Sequence, residues 1–432
     1  MSDSRFLNKQ VMAWALYDWG NSAFALSVLA VLFPLFLGSY WSAGDPGAVV
    51  TSRLTWATAI ASVVVSLLAP VIGAIADSGG YRKRFLFLLA IIGAVSTAAL
   101  SLVGMGGWFL ALFIFVLASV GYYSANVFYD SLLIDVSKPR YYSLVSSLGL
   151  SLGYFGGASL LTLHVWMLSS PQTFGFADVN AVVKFAFVSV GVWWLIFLLP
   201  LMLVVRETKS TPVVKGTTVR AAYKALRETF HKVRSYRNVY LFLVAYWFYI
   251  GGLFTVIFMA VNFGQRLGFS SQDLVTALLI TNFVGFPATL AYGFIGHRFG
   301  PRNSIFLGLA VYIGVVCWAV FLVDVGQFYA MSITIGMVQG GVQGMSRSLF
   351  AGLIPANQSG EFFGFYNMLT KFAHVLGPVL VGIAAYLSDE PKYILVAVLP
   401  MFVIGALMLT RVDGSIADND SGTEPRPGGQ IV

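Results

Sequence analysis

Twelve uninterrupted apolar stretches divide this chain, and they limit its possible folds more than any motif does. They fall at about 11–40, 53–76, 85–104, 108–134, 143–168 and 182–205, then at about 238–263, 273–296, 304–323, 328–354, 362–387 and 392–411. A helix that crosses a bilayer needs about 20 apolar residues. Inside lipid the backbone must satisfy its own hydrogen bonds, so such runs resolve as helices. The chain has 58% hydrophobic and 10% charged residues, against roughly a quarter charged in soluble domains. It therefore reads as an all-α polytopic membrane protein with 12 transmembrane helices. The same figures exclude a disordered chain and a disulfide-stapled secreted domain. The polar start with Arg5 and Lys9 leads into an apolar run far longer than a signal-peptide core, so the first span is expected to stay in place. Cys317 is the one cysteine and is expected to be a small buried hydrophobe.

The net charge of +8 and pI of 9.4 look at first like a nucleic-acid signal. The positions of the charges give a different meaning. With the N-terminus inside and twelve crossings, 20 of the 26 basic residues fall on the inner side. Arg53, Lys184, Arg266 and Lys392 fall outside, and Arg347 and Lys371 lie within spans. Basic residues collect in cytoplasmic loops, so both termini are expected in the cytoplasm and nucleic acid is no longer a partner. The division follows: a first six-helix bundle over 1–205, a cytoplasmic linker over 206–237, a second bundle over 238–412, and a disordered cytoplasmic tail over 413–432. In the linker Val219, Ala222, Tyr223, Leu226, Phe230 and Val233 follow a helical period, with Arg220, Lys224, Arg227 and Arg234 on other faces. That pattern predicts an amphipathic helix on the anionic inner leaflet.

The two sets of six repeat each other. Gly73, Asp77, Gly80, Arg82, Lys83 and Arg84 join spans two and three. Gly293, His297, Gly300 and Arg302 join spans eight and nine with the same spacing, 220 residues later, as Gly293 is to Gly73. At that offset Gly121 meets Gly341 and Gly157 meets Gly377. The glycine before each turn permits close packing and the one within it permits a tight bend. Asp77 is placed to pair with nearby arginines and to meet the N-terminus of a neighbouring helix, where a carboxylate is favoured.

A pair of parallel six-helix repeats with this loop resembles the major facilitator superfamily. In that superfamily the loop is described as a conformational latch, which His297 would weaken in the second copy. Span one reads Tyr17-Asp18-Trp19-Gly20-Asn21-Ser22-Ala23-Phe24. Spans ten and eleven read Ser346-Arg347-Ser348-Leu349-Phe350-Ala351-Gly352-Leu353-Ile354-Pro355 and Glu361-Phe362-Phe363-Gly364-Phe365-Tyr366. Together these resemble the vacuole-effluxer-like branch, also filed as an "unknown" major facilitator group, whose fungal members include an exporter of vacuolar amino acids. The resemblance runs from span one to span twelve. The compact loops look prokaryotic, which argues for the cell membrane rather than a vacuole. At Asp130 the family more often has Asn, so no role is carried over to that position.

Ionisable residues within spans are costly, about 2.5–3.5 kcal/mol on insertion scales, and normally face a cavity or a partner. Asp18 and Asn21 share a face of span one. Asp130 has Asn126 one turn before it, Gln339 and Gln343 lead to Arg347, and Lys371 lies between Asn367 and His374. In the superfamily fold, spans one, four, seven and ten line the central cavity. Tyr17, Asp18, Asn21, Asn126, Asp130, Gln339, Gln343, Arg347, Asn367 and Lys371 are thus the expected translocation pathway. An ammonium would choose Asp18 or Asp130, and a carboxylate would choose the Arg347 fork. Other readings stay open. Asp18 and Arg347 would form a structural pair, Arg347 would snorkel, or Asp130 and Asp135 would pair with Arg82 and Arg84. Asp18, Asp130 and His374 are the candidates for proton coupling. Trp193, Trp194 and Trp247 are expected at the membrane interface.

There is no Walker loop, no metal-ligand cluster and no nucleophile elbow, so no cofactor or metal is expected and the chain is not read as an enzyme. The expected function is a proton-coupled secondary transporter, monomeric, moving an amino acid or similar zwitterion by alternating access. Sugars, cell-wall fragments or lipids are alternative solutes. A membrane-embedded enzyme or an accessory protein is the alternative from another class.

Overall fold

In the computed structural model, residues 6–207, 230–387 and 395–414 are described. The middle of the predicted linker, 208–229, with most of its expected amphipathic helix, and the tail beyond 414 lie outside them. The chain is helical throughout the described residues. We number its long helices α1 (Lys9–Trp41), α2 (Gly47–Gly79), α3 (Arg82–Ala99), α4 (Trp108–Ser131), α5 (Tyr142–Ser169) and α6 (Val179–Val204). Then follow α7 (Arg237–Arg266), α8 (Ser271–Phe299), α9 (Pro301–Ala319), α10 (Val325–Leu353), α11 (Ser359–Leu387) and α12 (Leu399–Leu409). Among the described residues nine helices have the length and apolar character to cross a membrane, namely α1 to α6, the Arg237–Ile257 part of α7, α8 and α9. Helices α10 and α11 have the length, 29 residues each, and carry the polar stripes read from the sequence. The α12 region forms a shorter apolar helix.

Local chemistry sets the helix starts. Asn8 accepts from the Val11 amide at the start of α1, Asp178 from Ala181 at α6, and Asp324 from Gln327 at α10. Ser270 and Asp273 close a reciprocal capping box on α8. Helix α1 departs from the expected plain helix. Phe24–Leu32 and Leu37–Trp41 are wound as π-helix on either side of a short α-helical segment that holds Pro34. A proline has no amide to donate and its ring crowds the preceding turn. A widened helix is one way to relieve that, and nothing in the apolar pattern signals it.

The first six helices pack among themselves chiefly through α1 with α5 and α6, and α3 with α4 and α6. The second six do so through α8 with α10, α7 with α12, and α9 with α10. The two sets meet along α5–α8 and α2–α11. The repeated glycines explain these close approaches. A Cβ at Gly121 of α4 would stand 2.6 Å from the Gly93 amide nitrogen of α3, and one at Gly341 of α10 would strike the Tyr292 ring of α8. Small residues at such crossings let backbones approach where lipid supplies no hydrophobic drive between helices.

Two expectations about the apolar residues are corrected. Cys317 is exposed on the surface of α9, because none of the described helices covers that side. Trp194 is fully buried instead of lying at the interface, since its indole Nε1 donates to the Tyr17 hydroxyl at 3.3 Å inside the first bundle.

Replacing Gly121 by Val is expected to cost about 1–3 kcal/mol through overpacking. The check is the melting temperature of the detergent-purified protein. Gly104→Ala, where an added Cβ meets nothing within 4 Å, is the control and should melt with the parent.

Candidate functional site

The central polar residues gather on α1, α4, α5, α10 and α11. Arg347 of α10 is at their centre. Its Nη1 donates to Asp130 Oδ1 of α4 at 2.9 Å, its Nε to Ser146 Oγ of α5 at 2.8 Å, and its Nη2 to the Ser146 carbonyl at 2.6 Å. The guanidinium also lies 5.0 Å from the Trp14 ring centroid and 5.4 Å from that of Tyr129. The Arg347 and Asp130 side chains are 6% and 13% exposed. Asn367 of α11 donates to the other Asp130 oxygen at 3.2 Å. This arrangement corrects the expected roles. Arg347 neither snorkels nor presents a free fork to a carboxylate, because all three of its nitrogens already donate. Asp130 pairs with Arg347 and not with the loop cations, because α10 brings the cation to its level in the membrane.

The side of α1 that carries Asp18 completes the cluster. Asp18 accepts from the Ser22 hydroxyl at 3.1 Å and the Tyr129 hydroxyl at 3.3 Å. Asn21 donates to Asn126 Oδ1 at 2.6 Å. Tyr17 is corrected from a cavity residue to a core residue, since it has no exposed surface and packs between Trp194 and Tyr129. Asn126, Asp130, Gln339, Gln343 and Asn367 are half-buried. Gln343 Nε2 reaches the Tyr154 hydroxyl of α5 at 3.5 Å. Lys371, one turn beyond Asn367 on α11, places its ammonium 2.8 Å from the centroid of the Tyr123 ring on α4. The side chain of His374 lies outside the described residues.

The serines of α5 link the halves as well. Ser146 Oγ donates to the Gly344 carbonyl at 2.8 Å, Ser143 and Ser348 hydroxyls meet at 3.0 Å, and Ser151 donates to the Phe286 carbonyl at 2.6 Å.

The repeated loop forms a second cluster at one end of the bundle. Asp77 at the end of α2 accepts the Gly360 amide at 3.0 Å and the Glu361 amide at 2.7 Å, which caps the start of α11. The Gly80 φ of +63° makes the bend that follows. Gly73 lies against the Gly360 carbonyl, where no side chain fits. Arg82 is 1% exposed, and it reaches Asp135 at 3.0 Å, Glu207 at 3.2 Å, Asp77 at 3.7 Å and the Ser359 hydroxyl. Glu207 also accepts the Arg82 and Lys83 amides, at 2.8 and 3.2 Å, and so caps α3. Lys83 Nζ donates to the Val205 carbonyl at 2.6 Å, and Arg84 lies over the Tyr81 ring. Lys232 pairs with Glu361 at 3.0 Å. Glu207 and Ser359 were not singled out in the sequence. The one signal for Glu207 is that it is the first acid after span six.

The second loop copy is wired differently. Gly293 packs against Ser147 of α5, and Gly300 has a φ of +85°. His297 Nδ1 meets the Arg140 carbonyl at 2.9 Å with its ring stacked on Tyr141. Arg302 donates to the Leu409 and Thr410 carbonyls of its own half, at 3.1 and 2.7 Å.

Truncating Arg347 to Leu would leave Asp130 buried without its cation, which costs about 3–5 kcal/mol. The double change Arg347→Leu with Asp130→Leu should recover much of that loss. Thermal melting of both variants checks this: a double variant that melts no higher than Arg347→Leu would refute the assignment of the pair.

The family model described as "Vacuole effluxer Atg22 like" matches residues 7–137 and 134–421. An uncharacterized MFS-type transporter of Bacillus subtilis, YxiO, is 34% identical over 424 residues, which cover 95% of this chain and 98% of that one. The Autophagy-related protein 22 of Eremothecium gossypii is 22% identical over 453 residues, 89% of this chain and 87% of its own. Among solved structures, the proton:xylose symporter XylE superposes with a TM-score of 0.73 at 14% identity, covering 94% of this chain and 95% of its own. FucP in its outward conformation gives 0.68 at 12%, covering 95% and 100%. The chain thus has the major facilitator fold, and it belongs to the Atg22-like vacuole-effluxer family of secondary transporters rather than to an enzyme family.

Proposed function

We propose that this transporter carries an amino acid or similar zwitterion by proton-coupled alternating access, as a monomer in the cell membrane with both termini in the cytoplasm. The observation that supports it best is the ion pair between Asp130 and Arg347 across the two halves, beside the half-buried amides of Asn126, Gln339, Gln343 and Asn367. Polar side chains gathered inside a membrane protein have to be matched by polar partners, a polar occupant or water. The halves are joined toward the end where α2 meets α11, so this conformation is closed there. For that end to open, the Asp77 cap on α11 and the links of Arg347 to α4 and α5 must release. A solute ammonium that reaches Asp130 competes with Arg347 for the same carboxylate and provides that release. The family's description as effluxers supports export as the direction.

Proton coupling is assigned to Asp18. Its hydrogen bonds come from the hydroxyls of Ser22 and Tyr129. A carboxylate held in this way can take up a proton without stranding a paired cation, whereas protonating Asp130 would leave Arg347 uncompensated.

In proteoliposomes, amino-acid flux driven by a pH gradient is expected for the parent and abolished in Asp18→Asn. Solute exchange at equal pH should persist in that variant, because the solute's charged contacts are elsewhere. Gradient-driven flux that survives Asp18→Asn would remove this coupling assignment. No amino-acid flux under any gradient would remove the zwitterion reading.

A further inference from the structure

We propose that Lys371 is the anion-binding group of the central site and that the solute presents a carboxylate or another oxyanion to it. This rests on the reading above, that a polar solute occupies the space between α4, α10 and α11. Three deep cations anchor the argument. Arg82 faces Asp77, Asp135 and Glu207, and Arg347 faces Asp130 and Ser146. Lys371 alone among them has no acid and no hydrogen-bond acceptor among the described residues. Its ammonium rests on the face of the Tyr123 ring, and the residue is 6% exposed. A cation–π contact offsets part of the cost of burying an ammonium. It leaves the three N–H donors of the ammonium without a protein acceptor among the described residues.

Geometry relates this group to the rest of the site. Asn367 and Lys371 are one turn apart on one face of α11, about 5.4 Å of rise. Tyr123 is two turns before Asp130 on α4. Asn367 contacts Asp130 at one level and Lys371 contacts Tyr123 at the next. An acid and a donor-rich cation therefore stand on neighbouring levels where α4 meets α11, with Asn126 between Tyr123 and Asp130 on α4. A zwitterion spans that interval with its ammonium toward Asp130 and its carboxylate toward Lys371. The carboxylate supplies the acceptors the ammonium lacks, and the Tyr123 ring remains as the resting place of the lysine when the site is empty.

The test is ligand-induced thermal stabilisation of the full-length protein in detergent. The probes are a panel of L-amino acids, the matching 2-hydroxy acids, the matching amino-acid amides and neutral sugars. Carboxylate-bearing probes should stabilise the parent and amides should not. Lys371→Gln should weaken the carboxylate probes about tenfold to a hundredfold, the range for losing a charge-assisted contact, while Lys371→Arg should stay within about tenfold of the parent. Amino acids that bind Lys371→Gln as tightly as the parent would overturn the proposal and leave the zwitterion reading standing. Hydroxy acids that bind through Lys371 while amino acids do not would uphold the proposal and overturn the zwitterion reading. Stabilisation by neutral sugars alone would overturn both. If Lys371→Gln fails to fold, the parent still decides: amides that bind as tightly as the acids overturn the proposal.

Discussion

The rest of the structure depends on one ion pair that joins the two halves between the loop cluster at one end and the serine contacts of α5. Arg347 and Asp130 come from α10 and α4, and the same guanidinium also holds the backbone of α5 at Ser146. In a bilayer neither charge has water to return to, so separating them requires a replacement partner and not merely a push. This makes the pair a gate with chemical selectivity. Its neighbours are half-buried amides instead of hydrocarbon, so the replacement has a polar path by which to arrive. Close approach of the halves is a precondition. Ser146 reaches the Gly344 carbonyl at 2.8 Å because no side chain at that glycine stands in the way.

The repeated loops show how a sequence symmetry becomes a mechanical asymmetry. In the first copy an acid caps the first turn of a helix from the opposite half, and a buried arginine ties three carboxylates together around it. In the second copy the corresponding arginine is spent on carbonyls of its own half, and the histidine reaches across with one hydrogen bond to Arg140 and a stacking contact with Tyr141. The closing strength at this end therefore comes mostly from the first loop. Glu207 and Lys232 attach both ends of the central segment to that loop and to its partner helix, so the segment bears on the same lock.

The spans, the repeat and the turn glycines were all legible in the sequence, because hydropathy and spacing are local properties. The contact of Asp77 with a helix N-terminus was legible for the same reason: a short acid beside a tight glycine turn has few other uses. What escaped was pairing over long separations. Helical periodicity tells which face of α10 holds Arg347 but not that Asp130 and Ser146, about 200 residues earlier, meet it there. Tyr17 was misplaced because its neighbour Asp18 faces the polar cluster, while the next position on a helix points about 100° away, here into the bundle core. Cys317 was misplaced because apolar composition is the same for a residue facing protein and one facing lipid. The π-wound stretches of α1 have no pattern of their own to read.

The division of work between two cations follows from their chemistry. A guanidinium is planar, weakly hydrated and permanently charged, and it offers donors in several directions at once. That suits Arg347, which binds Asp130 and both oxygens of Ser146 together and so fixes three helices in register. An ammonium is a compact charge on a flexible stem, with three donors that turn freely toward whatever acceptor arrives. That suits a group that must take hold of a solute and let it go. Placing the arginine where the protein binds itself, and the lysine where an aromatic face is its one partner among the described residues, would separate the bond that holds the halves together from the proposed bond to the cargo.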